Sequence, residues 1–136
     1  MRSELNYPQL GTDIIQQMIG NGVRDLMKKS FANVNINPTD DELNQAIKLH
    51  SDYYNEHQVV YTTAYPGVKE TLEFLQQHNI RTAVVTNKRG ETAQKILEIL
   101  QLAEHLDCII GDRAGLKLKP APDGLLAAAQ ELGAEP

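Results

Sequence analysis

Two short stretches carry the side chains best suited to chemistry. The first is the apolar run Thr82-Ala83-Val84-Val85, which ends in a hydroxyl and an amide at Thr86-Asn87. The second, one crossover further along, is Lys119-Pro120-Ala121-Pro122-Asp123. In a parallel α/β sheet, ligands gather beyond the carboxyl ends of the strands, where the last side chain of a strand points into the crevice. A threonine hydroxyl there and a lysine from the next connection supply one donor and one cation, which suits a phosphate group. Positive charge gathers in the same places. Of 13 lysines and arginines, Lys88, Arg89, Arg113, Lys117 and Lys119 fall in the two loops expected after the strands, against one acid, Asp112. A chain of net charge −5 and pI about 5.3 has concentrated cations where an anion would bind. No acid follows a buried strand in a position to act as nucleophile or metal ligand.

The bulk composition narrows the function classes. With 136 residues, 41% of them hydrophobic and 23% charged, the chain is long enough for one domain, or for a small domain plus part of another. The acidic balance argues against a nucleic-acid surface. No apolar stretch approaches the roughly 20 residues needed to cross a bilayer, and Met1-Arg2-Ser3-Glu4 lacks the apolar core of a signal peptide, so a cytoplasmic location is expected. The single cysteine, Cys108, lies inside the apolar run Leu106 to Ile110 and reads as a small buried hydrophobe. His50, His57, His78 and His105 show no ligand spacing, so no metal site is expected from them.

Periodicity supplies the elements that must position these groups. Ile14, Ile15, Met18 and Ile19, then Val23, Leu26, Met27 and Phe31, predict two short helices separated by a turn at Gly20-Asn21-Gly22. Thr39-Asp40-Asp41-Glu42 reads as a capping box opening a helix to about His57, with a buried stripe of Leu43, Ala46, Ile47 and Tyr54 and His50 on the same face. The expected domains are therefore an all-helical unit over 1–63 and an α/β unit over 64–136. In the second, Val68, Leu72 and Leu75 mark a helix stopping at Asn79, and Arg81 to Thr86 reads as a buried strand. Ala93, Ile96, Leu97 and Leu100 form one helical face, Cys108-Ile109-Ile110 the next strand, and a last helix runs from near Pro122 to Gly133. This is a βαβ unit of right-handed hand. Two strands leave two unpaired edges, so the core is expected to be incomplete and open to self-association.

The ordered set resembles the haloacid dehalogenase (HAD) superfamily, and within it the phosphoglycolate phosphatases. Ile19-Gly20-Asn21-Gly22-Val23-Arg24 is similar to the helical cap of that group, and Tyr65-Pro66-Gly67-Val68 to the re-entry into its core. Val84-Val85-Thr86-Asn87-Lys88 resembles its second motif, and Lys119-Pro120-Ala121-Pro122-Asp123 its third. The resemblance implies a Rossmannoid parallel-sheet core, partial here, with an all-helical cap. It implies that Thr86 hydrogen-bonds a phosphoryl oxygen, that Asn87 shapes the loop, and that Lys119 neutralises charge on the phosphoryl group and the nucleophile. Gly22, Arg24 and Lys88 are the candidates for substrate contact, Arg24 because its planar fork suits a carboxylate.

The family's first motif, Asp-x-Asp-x-Thr, with its aspartate nucleophile, is absent, and so is the fourth, with its magnesium acids. Gly111-Asp112 does not replace the latter, because Leu116 and Lys117 stand where a second acid is needed. The expectation is a magnesium-dependent phosphatase of a small phosphorylated metabolite, working through an aspartyl-phosphate. This chain would supply the cap and half of the phosphate site, without magnesium ligands, and would be inactive alone. The alternatives are a non-catalytic anion-binding or interaction module, and a sugar-phosphate mutase or dehalogenase of the same superfamily.

Overall fold

The structure, a computed structural model, describes residues 8–135. Residues 1–4, read above for a leader, lie outside the described residues. The chain divides into two compact units between His57 and Gln58, so residues 58–63 cluster with the second unit and not, as expected, with the first.

The first unit is helical. Helix α1 (Thr12–Met18) and helix α2 (Val23–Ala32) are separated where Gly20 and Gly22 adopt φ of 138° and 85°, backbone that favours glycine. Helix α3 (Asp40–His57) begins at a complete capping box. The Thr39 N–H and hydroxyl both donate to Glu42 Oε2 at 2.8 Å, and the Glu42 N–H donates back to Thr39 Oγ1 at 3.3 Å. These bonds hold the Glu42 carboxyl below its usual range, the Thr39 backbone N–H being the largest cause. Met27 and Phe31 of α2 pack with Leu43 and Ala46 of α3 into a buried cluster, flanked by Val23, Leu26, Ile36 and Ile47. The stripe continues half-buried at His50 and Tyr54, whose rings stack with centroids 5.7 Å apart.

The second unit is α/β. Helix α4 (Val68–Gln77) ends before Asn79, which takes the left-handed φ of 56°. There follow strand β1 (Ala83–Arg89), helix α5 (Gly90–Ile99), a 3-10 turn (Ala103–His105), strand β2 (Cys108–Asp112) and helix α6 (Asp123–Leu132). Among the described residues the sheet has two strands, paired in parallel, and α5 and α6 both pack on each of them. Ile110, 2% exposed, is the centre of this packing, with Ala93, Leu102 and Ala128 also buried. The small side of α6 decides how close it comes: a Cβ on Gly124 would lie 2.8 Å from Val85 Cγ1. No helix among the described residues is long and apolar enough to cross a membrane.

The first strand departs from its expected bounds at both ends. Arg81 and Thr82 precede it, because the Thr82 N–H donates to Asp107 Oδ2 at 2.7 Å and its hydroxyl to the His105 carbonyl at 3.0 Å. At the other end β1 runs past Thr86 to Arg89. Lys88 and Arg89, expected in a loop, are therefore strand residues.

Candidate phosphate site

The chemistry-bearing corner is a break in the β1–β2 ladder. Val85 pairs with Ile110 and Arg89 with Asp112, so three residues of β1 (Thr86, Asn87 and Lys88) face the single Gly111 of β2. Such a bulge re-aims side chains, and bulges are enriched beside active sites. Thr86 opens this one instead of ending the strand. Its Oγ1 accepts the Lys88 N–H at 3.2 Å, a local side-chain turn that leaves the hydroxyl hydrogen to donate elsewhere.

Lys119 reaches the bulge from the connection between β2 and α6. Its Nζ donates to the Val85 carbonyl at 2.7 Å, which docks the ammonium one residue from Thr86. Its backbone is held as well: the Lys119 N–H donates to Asn87 Oδ1 at 2.7 Å, and Asn87 Nδ2 donates to the Lys119 carbonyl at 3.0 Å. Two residues earlier the Lys117 N–H donates to Asp123 Oδ2 at 3.1 Å, pinning the start of the same connection to the first turn of α6. Thr86, Asn87, Lys117 and Lys119 thus line one shallow depression open to solvent, together with Ile110, Gly111 and Gly124.

The other sequence candidates stand elsewhere or are engaged. Arg24 lies on α2 in the first unit, where its Nη2 donates to Asn44 Oδ1 of α3 at 2.8 Å. Gly22 serves as the N-cap of α2. Lys88 meets the corner through its backbone N–H. The histidines are spread over α3, the C-cap of α4 and the 3-10 turn, with the rings of His57 and His78 each bonding the carbonyl four residues back. Burial, with Glu131 and Asp107 nearby, pushes the thiol of the half-buried Cys108 up.

A magnesium ion requires one or two carboxylates together with phosphate oxygens and water. Asp112 is the one carboxylate among the residues lining the depression, and no group of three His, Cys, Asp or Glu side chains suited to a metal occurs among the described residues. Among the described residues the donors do not assemble a magnesium cage.

Two contributions escape a reading of the letters alone. Asp123 acts through a hydrogen bond six residues back, and Gly111 through the space it leaves. The one available signal was a glycine inside an apolar strand run, which marks a bulge or a close backbone approach.

Comparison with known proteins agrees with this architecture. The family model described as haloacid dehalogenase-like hydrolase matches residues 1–136. The chain is 35% identical over 133 residues to a phosphoglycolate phosphatase of Aquifex aeolicus, covering 98% of this chain and 59% of that protein. It is 33% identical over 137 residues to a phosphoglycolate phosphatase of Nitrosospira multiformis, covering 100% and 60%. A crystal structure of a predicted phosphoglycolate phosphatase from Haemophilus somnus superimposes with a TM-score of 0.88 at 27% identity, over 98% of this chain and 61% of that one. The chain spans about three fifths of the length of these relatives. With the α/β core in place and the family match running its full length, this chain belongs to the haloacid dehalogenase-like hydrolases.

Proposed function

We propose that this chain carries the phosphate-recognising part of a phosphomonoesterase that acts on a small phosphorylated metabolite, with 2-phosphoglycolate the first candidate. The observation that carries the reading is the docking of the Lys119 ammonium on the Val85 carbonyl, beside the Thr86 hydroxyl. Phosphoryl transfer needs positioning and compensation of charge on the equatorial oxygens more than covalent work by the protein. In this reading the Thr86 hydroxyl donates to one phosphoryl oxygen, and Lys119 offers its remaining N–H donors to the same group. Asn87 fixes where the Lys119 backbone stands. Preorganised donors of this kind spend no reorganisation energy when charge develops.

The names of the relatives supply the substrate class, and the fit of their sequences along the whole chain supports carrying it over. The nucleophilic aspartate, its phosphorylated intermediate and the acids that hold magnesium belong, in this proposal, to the additional length of a polypeptide of the relatives' size. Magnesium would there compensate phosphoryl charge. The first unit is assigned to the cap and the second to part of the core, in a cytoplasmic enzyme. The outer edges of β1 and β2 are the surfaces through which the 136-residue chain would self-associate.

The test is a titration of the 15N-labelled chain with inorganic phosphate. Saturable shifts at Thr86, Asn87 and Lys119, abolished by Lys119→Ala with the fold intact, are expected, together with no turnover of 2-phosphoglycolate. A wild-type chain whose Thr86 and Lys119 signals ignore phosphate would remove the reading.

A further inference from the structure

We propose that Gly111 is a positioning residue of the phosphate corner: having no side chain, it lets the Thr86-Asn87-Lys88 bulge fold over the end of β2 and so fixes where Thr86 and Asn87 stand. The inference rests on the phosphate reading and adds a residue that neither touches the anion nor bonds to Lys119. Its basis is the ladder. Three β1 residues face one β2 residue, so the surplus backbone must leave the sheet plane and pass across that one residue.

The backbone does pass there. A Cβ at position 111 would lie 2.7 Å from the Lys88 carbonyl oxygen, and it would collide with the N and Cα of Gly90. All three are main-chain atoms, which no rotamer change can move aside. Gly111 is buried and is not among the glycines of positive φ, so its requirement is space and not backbone conformation. The reverse contact is lenient. A Cβ on Gly90 would meet nothing nearer than the Gly111 Cα at 3.9 Å, an ordinary van der Waals distance.

An alanine at 111 must therefore push the segment Lys88–Gly90 away from β2. Lys88 carries the N–H that orients the Thr86 hydroxyl, and Asn87 carries the clasp on Lys119, so displacement at Lys88 propagates to both donors of the corner. Alanine at 90 leaves the bulge where it is.

The experiment compares inorganic-phosphate affinity, read from amide shifts, in wild type, Gly111→Ala and Gly90→Ala, with thermal unfolding of each. Gly111→Ala is expected to weaken binding about tenfold or more, the equivalent of one lost hydrogen bond to a charged group. Gly90→Ala is expected to stay within about twofold, as a tolerated substitution does. Should Gly111→Ala fail to fold, the unchanged protein decides: a nuclear Overhauser contact between the Gly111 Hα and the Gly90 amide supports the close approach, and its absence overturns it. Wild type that binds phosphate, with a folded Gly111→Ala that binds equally well, overturns the Gly111 assignment alone. Wild type that binds no phosphate overturns the phosphate reading and this assignment with it.

Discussion

The side-chain amide of Asn87 grips the backbone of Lys119 on both sides of its Cα, accepting from the N–H at 2.7 Å and donating to the carbonyl at 3.0 Å. A strand residue thereby dictates the path of a connection 32 residues away in sequence. The lysine's charge reaches the corner because the strand holds its main chain.

Removal of this grip is expected to cost both folding and binding. Asn87→Ala loses both bonds, about 1 kcal/mol each, and should weaken phosphate binding about tenfold. Asn87→Asp keeps the acceptor for the Lys119 N–H but sets a negative charge beside the anion. It should bind phosphate less tightly than Asn87→Ala does, at low salt above all. Wild-type affinity in Asn87→Asp, measured by the same titration, would show that Asn87 takes no part.

Thr86 is expected to act through its hydroxyl alone. In a polypeptide of the relatives' full length, Thr86→Ala should lower turnover about a hundredfold, the loss of one preorganised donor. Thr86→Ser should recover most of it, whereas Thr86→Val keeps the β-branched shape without the donor. Equal turnover in the Val and Ser variants would move the phosphate site elsewhere.

The capping box makes the first unit acid-sensitive in a defined direction. The Glu42 carboxyl is held below its usual range in the folded chain by the Thr39 N–H. A lowered folded value means that the stabilisation is complete above the unfolded carboxylate value of about 4.3 and fades as pH falls through the lower folded one. Helical circular dichroism of Glu42→Gln should therefore lose part of the acid dependence that wild type shows. Thr39→Ala, which removes the side-chain acceptor of the Glu42 N–H, should cost about 1 kcal/mol at neutral pH. Identical acid curves for wild type and Glu42→Gln would contradict this account of α3.

Between α3 and α4 the chain is open to cleavage. Tyr61 is 97% exposed and Tyr65 84% exposed, both outside any helix or strand. Brief chymotrypsin treatment should cut first after Tyr61, the Tyr65–Pro66 bond being resistant, and leave two resistant pieces, since exposed irregular segments are preferred sites. First cuts inside α2 or β1, found by mass spectrometry, would refute the division of the chain near His57.

The letters alone determined what depends on neighbours in sequence. The turn at Gly20-Asn21-Gly22, the Thr39–Glu42 box, the stripe Leu43-Ala46-Ile47 and the stop at Asn79 all rest on contacts within a turn or two of helix, and so they are visible as spacing. The order strand, helix, strand was legible for the same reason. Tertiary structure decided the rest. That β1 continues past Thr86 to Arg89, that Gly111 must lack a side chain, and that Lys119 is held by Asn87 and Val85 all follow from pairing between β1 and segments more than 20 residues away. Arg24 likewise meets Asn44 only because α2 packs on α3. Hydrophobic periodicity reports which face of an element is buried, but it carries no register. The register of two parallel strands, and the bulge that breaks it, are set when their backbones compete for the same hydrogen bonds in the folded sheet.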